Sequence, residues 1–553
     1  MLRGVAEVRV LLVRRPGGTV EARELDDGGT VTRVPAGELP ALVRERETAH
    51  PRWVWDDTTR WYPGLLAAGL RVERCTDLRL GHALLRRSPR VDQATLTGPD
   101  TAGWDALEPV GAADPALFDL DDPADRLDPA AEQERQRAAL GTVDQRARLG
   151  LLLAAESAGA LVAAEMTHAG MPWRADVHDR LLTDLLGPRP AAGRRPEGLE
   201  QVLTAVRQAF GAPALNPDSP TELLPCLRAA GLEVTDTRSW TLEQLDHPGI
   251  TPLLQYKKLA RLLQANGWAW LDTWVAEGRF RPTWLPGGVV TGRWASAGGG
   301  ALSAPVQVRP AAVADDGWRF VVADVAQLEP RVLAGMSRDT AMAEAARAAD
   351  LYQAMVDTGA VASRSDAKLG MLGAMYGGTR GESGRMVDRL TRRYPQAFGL
   401  VEEAARAGER GEVVQTLLGR GSPLPTGSWA APAAESDDDR PDPRERDQHR
   451  RAWGRFTRNF VVQGTGAEWA LCWLAVLRNR LWQTGPAGQV TDRPHLVFFL
   501  HDEVVVHTPE HLADDVADAV RAAATEAGRL LFGSFPVDFP LDVSVVRSWA
   551  DAG

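Results

Sequence analysis

The stretch His495-Leu-Val-Phe-Phe-Leu500-His-Asp-Glu503-Val-Val-Val-His507 carries two short apolar runs separated by His501-Asp502-Glu503. Apolar runs of this length, bounded by polar residues, read as strands, and so small a break between them reads as a hairpin with an acidic tip. Earlier in the chain, Trp318-Arg-Phe-Val-Val-Ala-Asp324-Val325 is another apolar strand with a carboxylate near its C-terminal end. Two strands that each end in acid can bring carboxylates side by side, which is unfavourable unless a cation sits between them. Oxygen donors without a nearby His/Cys cluster suit Mg²⁺ rather than Zn²⁺. Two such ions ~3.5–4 Å apart can stabilise both the attacking and the leaving oxygen of a phosphoryl transfer. For either acid taken alone, a solvated strand end or a helix cap is the competing reading.

Working outward, Arg364, Lys368, Leu372 and Tyr376 are spaced by four within the run that ends at Gly377. On an α-helix each such step overshoots a turn by about 40°, so the four side chains form one drifting stripe. Cations followed by apolar and aromatic groups suit a nucleotide, with the triphosphate at one end and the base and sugar at the other. A basic turn followed by core contacts is the alternative. From Arg364 to Arg393 there are seven bases and three acids, a local charge of +4 that would attract phosphate. Arg455, Asn459 and Gln463 are also four apart. Donors of this kind can read the minor-groove acceptors that nearly all base pairs share; a plain polar helix surface is the alternative.

The whole chain has 553 residues, enough for three to four domains at ~150 residues each. Its net charge of −11 is by itself unfavourable for a nucleic-acid binder. Yet Asp100–Glu134 alone holds eleven acids and one base, which leaves the remainder close to neutral. No run approaches the ~20 uninterrupted apolar residues of a membrane helix, and Met1–Arg15 lacks a signal-peptide pattern. Cys75, Cys226 and Cys472 are far apart and odd in number, which argues against a disulfide framework or a cysteine metal site. These features point to a cytoplasmic protein. Of 63 basic residues only Lys257, Lys258 and Lys368 are lysines; lysine can give up a proton where arginine cannot.

Residues 1–95 alternate apolar and polar, with helical patterns over Trp61–Leu70 and Leu78–Arg87, and read as a small α/β domain. A Gly/Pro/Asp-rich linker follows over about 98–130. Helical patterns then fill about 145–280, with a helix start offered by Ser219 or Asp218 before Pro220. Helices are expected over Glu329–Ala345 and Phe460–Leu481. Ser422–Arg450, almost free of aliphatic residues, reads as a mobile surface insertion.

Taken in order, Asp324-Val-Ala-Gln327-Leu-Glu329-Pro-Arg331, the R-x3-K-x7-Y-G pattern of Arg364–Gly377, and His501-Asp-Glu503 resemble three motifs of family A DNA polymerases of the bacterial DNA polymerase I type. Thr291-Gly-Arg293, Thr416-Leu-Leu-Gly-Arg420 and Gln463-Gly-Thr465 are similar to shorter stretches of that family. Asn216-Pro-Asp-Ser219 and Gln255-Tyr-Lys257 are similar to its thumb approach. The resemblance covers about 150–553 in collinear order. It implies an α+β multidomain chain, a right-hand polymerase of palm, fingers and thumb preceded by a small α/β RNase H-like exonuclease-type domain. The implied divisions are a degenerate 3′–5′ exonuclease-like domain over 1–97, an acidic linker over 98–143 and a helical thumb over 144–285. Palm over 286–345, fingers over 346–454 with the insertion 422–450, and palm again over 455–553 complete it.

The resemblance also implies roles. Asp324 and Asp502 would hold two Mg²⁺ ions, or Mn²⁺ in their place, with Glu503 in support. Arg364 and Lys368 would bind the triphosphate, and Lys368 would act as acid toward departing pyrophosphate. Gln327, Glu329, Leu372, Tyr376 and Tyr352 would complete the nucleotide site, Glu329 filling the space of a 2′-hydroxyl and Tyr376 stacking at the templating position. Arg293, Arg455, Asn459, Gln463 and His501 would contact primer-template DNA. A monomer that takes dNTPs, works in repair or gap filling, stays off membranes and associates with the nucleoid is the expectation.

Three departures from the family pattern stand out. Leu372 replaces an aromatic, Tyr352 stands where a triphosphate-contacting histidine is expected, and Gly299–Pro305 replaces an Asn/Gln-bearing template segment. Proofreading chemistry needs a D-x-E pair on the first strand, and Glu7–Val13 lacks it. Asp56, Asp57 and Asp77 stand as candidate remnants, so the domain is expected to be structural and its exonuclease inactive, and no 5′-nuclease domain is expected within these residues. Two other readings stay open, a non-catalytic DNA-binding scaffold and a single-subunit RNA polymerase. Asp324, Lys368 and Asp502 argue against the first, and Glu329 with the His-Asp-Glu tip against the second.

Overall fold

Apolar runs become strands here because each can bury both of its faces. The computed structural model describes residues 8–26, 29–109, 126–191, 193–297, 300, 305–378, 381–425 and 443–552. Two compact units emerge: Met1–Ala169 with Thr283–Ala297 and Gly317–Val545, and Gly170–Pro282 with Gly298–Asp316 and Val546–Gly553.

The first unit opens with a five-stranded sheet of β1 (Arg9–Arg15), β2 (Thr19–Glu24), β3 (Val31–Pro35), β4 (Arg52–Trp55) and β5 (Arg74–Asp77), in the order β3-β2-β1-β4-β5. β1 runs antiparallel to β2 and parallel to β4, and β4 runs parallel to β5. With a side-chain period of two, β1 serves two cores. Val10 and Leu12 pack with Trp53, Trp55 and Tyr62, while Leu11 and Val13 pack with Val54, Leu78 and Trp104. Helices Thr58–Ala67 and Leu78–Arg87 lie close to where the sequence pattern puts them.

The expected linker over 98–143 is corrected wherever it is described; residues 110–125 lie outside the described residues. Its flanks form helices Thr101–Ala106 and Pro129–Gly141. In the latter, buried Glu132 meets His82 Nδ1 at 2.8 Å, and Gln136 Nε2 donates to the Leu78 carbonyl at 2.8 Å. An acid held by a buried partner looks, in composition, the same as a solvated one.

A second sheet holds β6 (Trp318–Val325), β7 (His495–Leu500), β8 (Glu503–Pro509) and β9 (Leu541–Val546), in the order β7-β8-β6-β9. β6 and β8 pair antiparallel from Trp318↔Pro509 to Asp324↔Glu503. Helices Ala513–Phe532 and Pro443–Thr484 pack on this sheet.

Pro443–Thr484 is one helix of 42 residues. It passes unbroken through the expected fingers–palm boundary at 454/455. It also takes 443–450 out of the expected mobile insertion; at the other end Ser422 is buried and its Oγ accepts from Val414 N at 3.1 Å. Residues 426–442 lie outside the described residues. From this helix, buried Arg478 reaches the first sheet's domain. Its Nη1 donates to the Glu73 carbonyl at 2.7 Å, and its Nε and Nη2 donate to Glu165 at 2.9 and 2.6 Å. Tyr62 Oη donates to the same carboxylate at 2.5 Å. Burial pushes the Glu165 carboxyl up, but the Arg478 and Arg71 guanidiniums overcome it and hold the group below its usual range.

Glu468 has the opposite balance. It accepts from Leu418 N at 3.0 Å and from the Thr416 hydroxyl, yet burial pushes its carboxyl up to about 7. The folded chain therefore binds a proton that the unfolded chain has already lost, so this contribution to stability is full below the unfolded value of 4.5 and disappears as pH rises through about 7. Melting temperatures measured from pH 5 to pH 8 are expected to fall, and Glu468→Gln to flatten that fall.

The second unit is helical, with Ala175–Leu186, Glu197–Ala209, Pro220–Ala229, Ile250–Asn266 and Trp268–Trp274 beside the short strands Met171–Pro172, Val275–Ala276 and Arg279–Phe280. Trp173, His178, Trp270 and Phe280 form an aromatic cluster with ring centroids 4.8–5.7 Å apart. Ser219 is the N-cap residue of Pro220–Ala229, while Asp218 Oδ2 accepts from Tyr256 Oη at 2.7 Å. The unit begins at Gly170 rather than at 144. Helix Arg146–Ala169 belongs to the first unit because Leu161 enters the first sheet's core and Glu165 binds Arg478. Among the described residues two helices, Arg146–Ala169 and Arg444–Thr484, are long and apolar enough to cross a membrane, but 67% and 83% of their most apolar windows are buried inside the protein.

Candidate active site

β7 and β8 join through His501-Asp502, with Leu500 paired to Glu503. His501 takes a left-handed backbone (φ 56°) that costs a non-glycine residue roughly 1–2 kcal/mol. The Asp502 carbonyl accepts from Val325 N at 3.1 Å, which stitches the hairpin tip to the end of β6. Register then sets Asp324 directly opposite Glu503. Opposed residues in an antiparallel pair have Cβ atoms about 4.5–5.5 Å apart, and like charges there are destabilising. Asp324 is exposed, and Asp502 and Glu503 are half-buried. Burial pushes the Asp502 carboxyl up, Arg293 opposes this, and Glu329 and Glu503 add to it. This acid-rich tip fits a hard divalent cation. Among the described residues no three His, Cys, Asp or Glu gather as a metal cage.

Helix Arg364–Tyr376 starts at Ser363, whose Oγ accepts from Asp366 N at 3.1 Å, and stops at Gly377 (φ 81°). Arg364, Lys368, Leu372 and Tyr376 are all exposed, whereas Ala367, Gly370, Met371, Ala374 and Met375 are buried. Spacing by four has put the stripe on the open face. Arg380 and the side chain of Glu382, counted in the local charge, lie outside the described residues, as do 298–299 and 301–304 of the altered template segment.

Glu329 is pinned at both oxygens. Tyr376 Oη donates to Oε2 at 2.9 Å, and Arg293 holds Oε1. Gln463 Nε2 donates in turn to Tyr376 Oη at 3.3 Å. Burial and the Glu329 charge raise the Tyr376 hydroxyl above its ordinary value. A Cβ on Gly377 would sit 2.6 Å from Arg455 Cγ, so the stripe helix ends against the Arg455–Asn459–Gln463 face. Arg455 is exposed there, and Asn459 and Gln463 are half-buried. A Cβ on Gly464 would collide with Thr416 and sit tightly against the Thr291 carbonyl, and Leu417 N donates to Thr465 Oγ1 at 3.1 Å. The three shorter stretches read in the sequence thus meet at one place.

A cavity of about 180 Å³ joins these parts. Arg293, Gln327, Glu329, Tyr352, Leu372, Gln463, His501 and Asp502 line it; Asp324, Glu503, Arg364, Lys368, Tyr376, Arg455 and Asn459 do not. Burial and then Arg293 lower the His501 imidazole, favouring its neutral form. Gln327 is as much a strut as a ligand, because its Oε1 accepts from Leu351 N at 3.1 Å and Arg331 Nη2 at 3.2 Å. Buried Arg331 also donates to the carbonyls of Ala326, Ala348 and Ala349 at 2.7–2.9 Å. Sequence reading assigned no role to Arg331 or to Asp350, whose Oδ2 accepts from Arg364 Nε at 2.6 Å. A charged residue inside an apolar helix, and an Asp one residue before a helix, were the available signals.

In the first sheet's domain the three spare acids are all buried and engaged. Asp57 caps its helix through Thr59 N at 2.9 Å and binds Arg79 Nε at 2.7 Å. Asp77 accepts from Leu80 N at 2.9 Å and Thr58 N at 2.7 Å, and Asp56 accepts from Trp61 Nε1.

A model of the family described as DNA polymerase family A matches residues 196–551. The chain belongs to this family. Among its family A relatives, the thermostable DNA polymerase I of Thermus filiformis is 26% identical over 342 residues, 55% of this chain and 37% of that one. DNA polymerase I of Pseudomonas aeruginosa is 25% identical over 304 residues, 50% of this chain and 30% of that one. The chain thus aligns with about a third of the length of these curated relatives. In fold it resembles the solved POL domain of Pol1 from M. smegmatis, a complex with DNA primer-template and dNTP. The TM-score is 0.67 at 19% identity, covering 99% of this chain and 96% of that one. That likeness in fold spans both the mixed N-terminal sheet and the four-stranded sheet, while the family model begins at residue 196.

Proposed function

We propose that this chain is a template-directed DNA polymerase that adds dNTPs to a primer 3′ end, in repair or gap filling. One observation supports the reading: Asp324 stands in register with Glu503, and Asp502 beside them lines the same cavity as Leu372 of helix Arg364–Tyr376. In this reading the four-stranded sheet is the palm, helices around 346–454 are the fingers and the second unit supplies the thumb. Asp324 and Asp502 hold two Mg²⁺ ions, or Mn²⁺, with Glu503 beside them. When bound, these ions neutralise phosphate charge and activate the primer hydroxyl.

The chain's own residues do the rest. Arg364 and Lys368 bind the triphosphate, and Lys368 Nζ gives its proton to the departing pyrophosphate. Glu329, fixed by Tyr376 and Arg293, leaves no room for a 2′-hydroxyl. Leu372 walls the sugar and base, Tyr352 completes the nucleotide site at its triphosphate end, and Gln327 braces the approach. Arg293, Arg455, Asn459, Gln463 and His501 meet the primer-template, testing pair shape through shared acceptors. The protein acts as a monomer in the cytoplasm, at the nucleoid.

The N-terminal domain, RNase H-like in strand order, is structural. Its first strand buries Val10–Val13, and Asp56, Asp57 and Asp77 serve as caps and hydrogen-bond acceptors, which supports an inactive exonuclease. The test is a labelled primer-template with purified protein and Mg²⁺. Extension with dNTPs is expected, and no shortening of the labelled 3′ end when dNTPs are withheld. Absence of extension overturns the polymerase reading, and metal-dependent shortening overturns the exonuclease reading.

A further inference from the structure

Arg364 is gripped on two sides before any nucleotide arrives. Its Nε donates to Asp350 Oδ2 at 2.6 Å, and its Cζ lies 5.7 Å from the centroid of the Tyr352 ring. Asp350 is itself fixed, because Oδ1 caps helix Leu351–Asp357 by accepting from Tyr352 N at 3.0 Å and Gln353 N at 3.2 Å. Tyr352 is only 7% exposed, and burial and the Glu329 charge push its hydroxyl up to about 12. The Arg364 side chain, by contrast, keeps 52% of its surface open.

A guanidinium carries five N–H donors in a rigid plane. Asp350 takes the Nε edge, which leaves the two terminal nitrogens for an anion. A cation over an aromatic face is held against the ring's negative charge. A long side chain ordered in advance loses less freedom when its ligand binds.

We propose that Asp350 and Tyr352 form a bracket that presets Arg364 for the triphosphate. Asp350 is a positioning residue acting through its charge. Tyr352 acts through its ring face and not by touching phosphate with its hydroxyl. This explains how a tyrosine serves where the family resemblance leads one to expect a phosphate-touching histidine, and it rests on the polymerase reading.

Three variants separate the parts. Asp350→Asn keeps a cap acceptor and removes the charge. Tyr352→Phe keeps the ring, and Tyr352→Leu removes it. Primer extension reads KM and kcat, and inhibition by pyrophosphate reads the phosphate end alone. Asp350→Asn is expected to raise KM for dNTP about five- to twentyfold and to weaken pyrophosphate inhibition by a similar factor. Its kcat and its KM for primer-template stay within about threefold. KM for Tyr352→Leu exceeds that for Tyr352→Phe at least about fivefold. An unchanged or lowered KM in Asp350→Asn, or equal KM in the two Tyr352 variants, overturns the proposal. Calorimetric titration with dATP and Mg²⁺ ranks the same variants without synthesis. A wild-type chain that binds dATP but extends no primer defeats the polymerase reading, and the bracket is then judged on binding alone. A chain that does neither defeats both.

Discussion

Asp502→Asn is expected to lower primer extension by at least about a thousandfold while leaving the protein as stable as before or more so. The two effects have one cause. Asp502 lines the cavity, and burial with the nearby Glu329 and Glu503 charges already disfavours its ionised form. Replacing the carboxylate by an amide of the same shape removes that unfavourable charge. The contacts that hold the hairpin tip, Val325 N to the Asp502 carbonyl and Asp502 N to the Leu500 carbonyl, are backbone bonds that the amide leaves in place. The lost anion cannot hold a cation, however, and a metal's contribution of several kcal/mol to phosphoryl transfer is worth about tenfold in rate per 1.4 kcal/mol. Single-turnover extension and a melting curve on the same preparation check both halves. Asp324→Asn is expected to match it, and the double variant to add little more, as for groups that act as a unit. Extension retained within tenfold in Asp502→Asn would sink the assignment.

The second large effect lies far from the cavity. Arg478→Met is expected to cost about 3 kcal/mol of stability, because removing one partner of a buried pair leaves an uncompensated charge. Arg478 is almost fully buried, and Glu165, Tyr62 and the Val72 and Glu73 carbonyls all converge on it. Arg71 lies 3.8 Å from Glu165 and softens the loss, which places the expectation at the low end for such pairs. Denaturant unfolding of Arg478→Met against Arg478→Met/Glu165→Gln measures it. The double variant is expected to recover part of the loss, because it removes the stranded carboxylate. A single variant as stable as wild type would show that the contact contributes nothing.

Legibility in the sequence followed the physics of each element. β6, β7 and β8 were readable because runs such as Val504-Val-Val506 are apolar without interruption and their turns are not. The stripe of Arg364, Lys368, Leu372 and Tyr376 was readable because helical spacing alone assigns a face. What could not be read was the state of charged groups. The acids of the 98–143 segment count equally whether they cap a helix, pair with His82 or meet water, so packed helices looked like a linker. Helix Arg146–Ala169 looked like the start of the helical unit because periodicity does not say which partner a face will find. Asp350 and Arg331 left only the faint signals noted above, since each acts through partners outside its own helix.

The 42-residue helix gives the molecule a mechanical spine. At about 1.5 Å per residue, Gln463 in the cavity wall and Arg478 inside the N-terminal junction stand roughly 22 Å apart on one helix. One continuous helix thus joins a cavity-lining side chain to the contacts that Arg478 makes with the first sheet's domain, so a shift at one end is carried to the other.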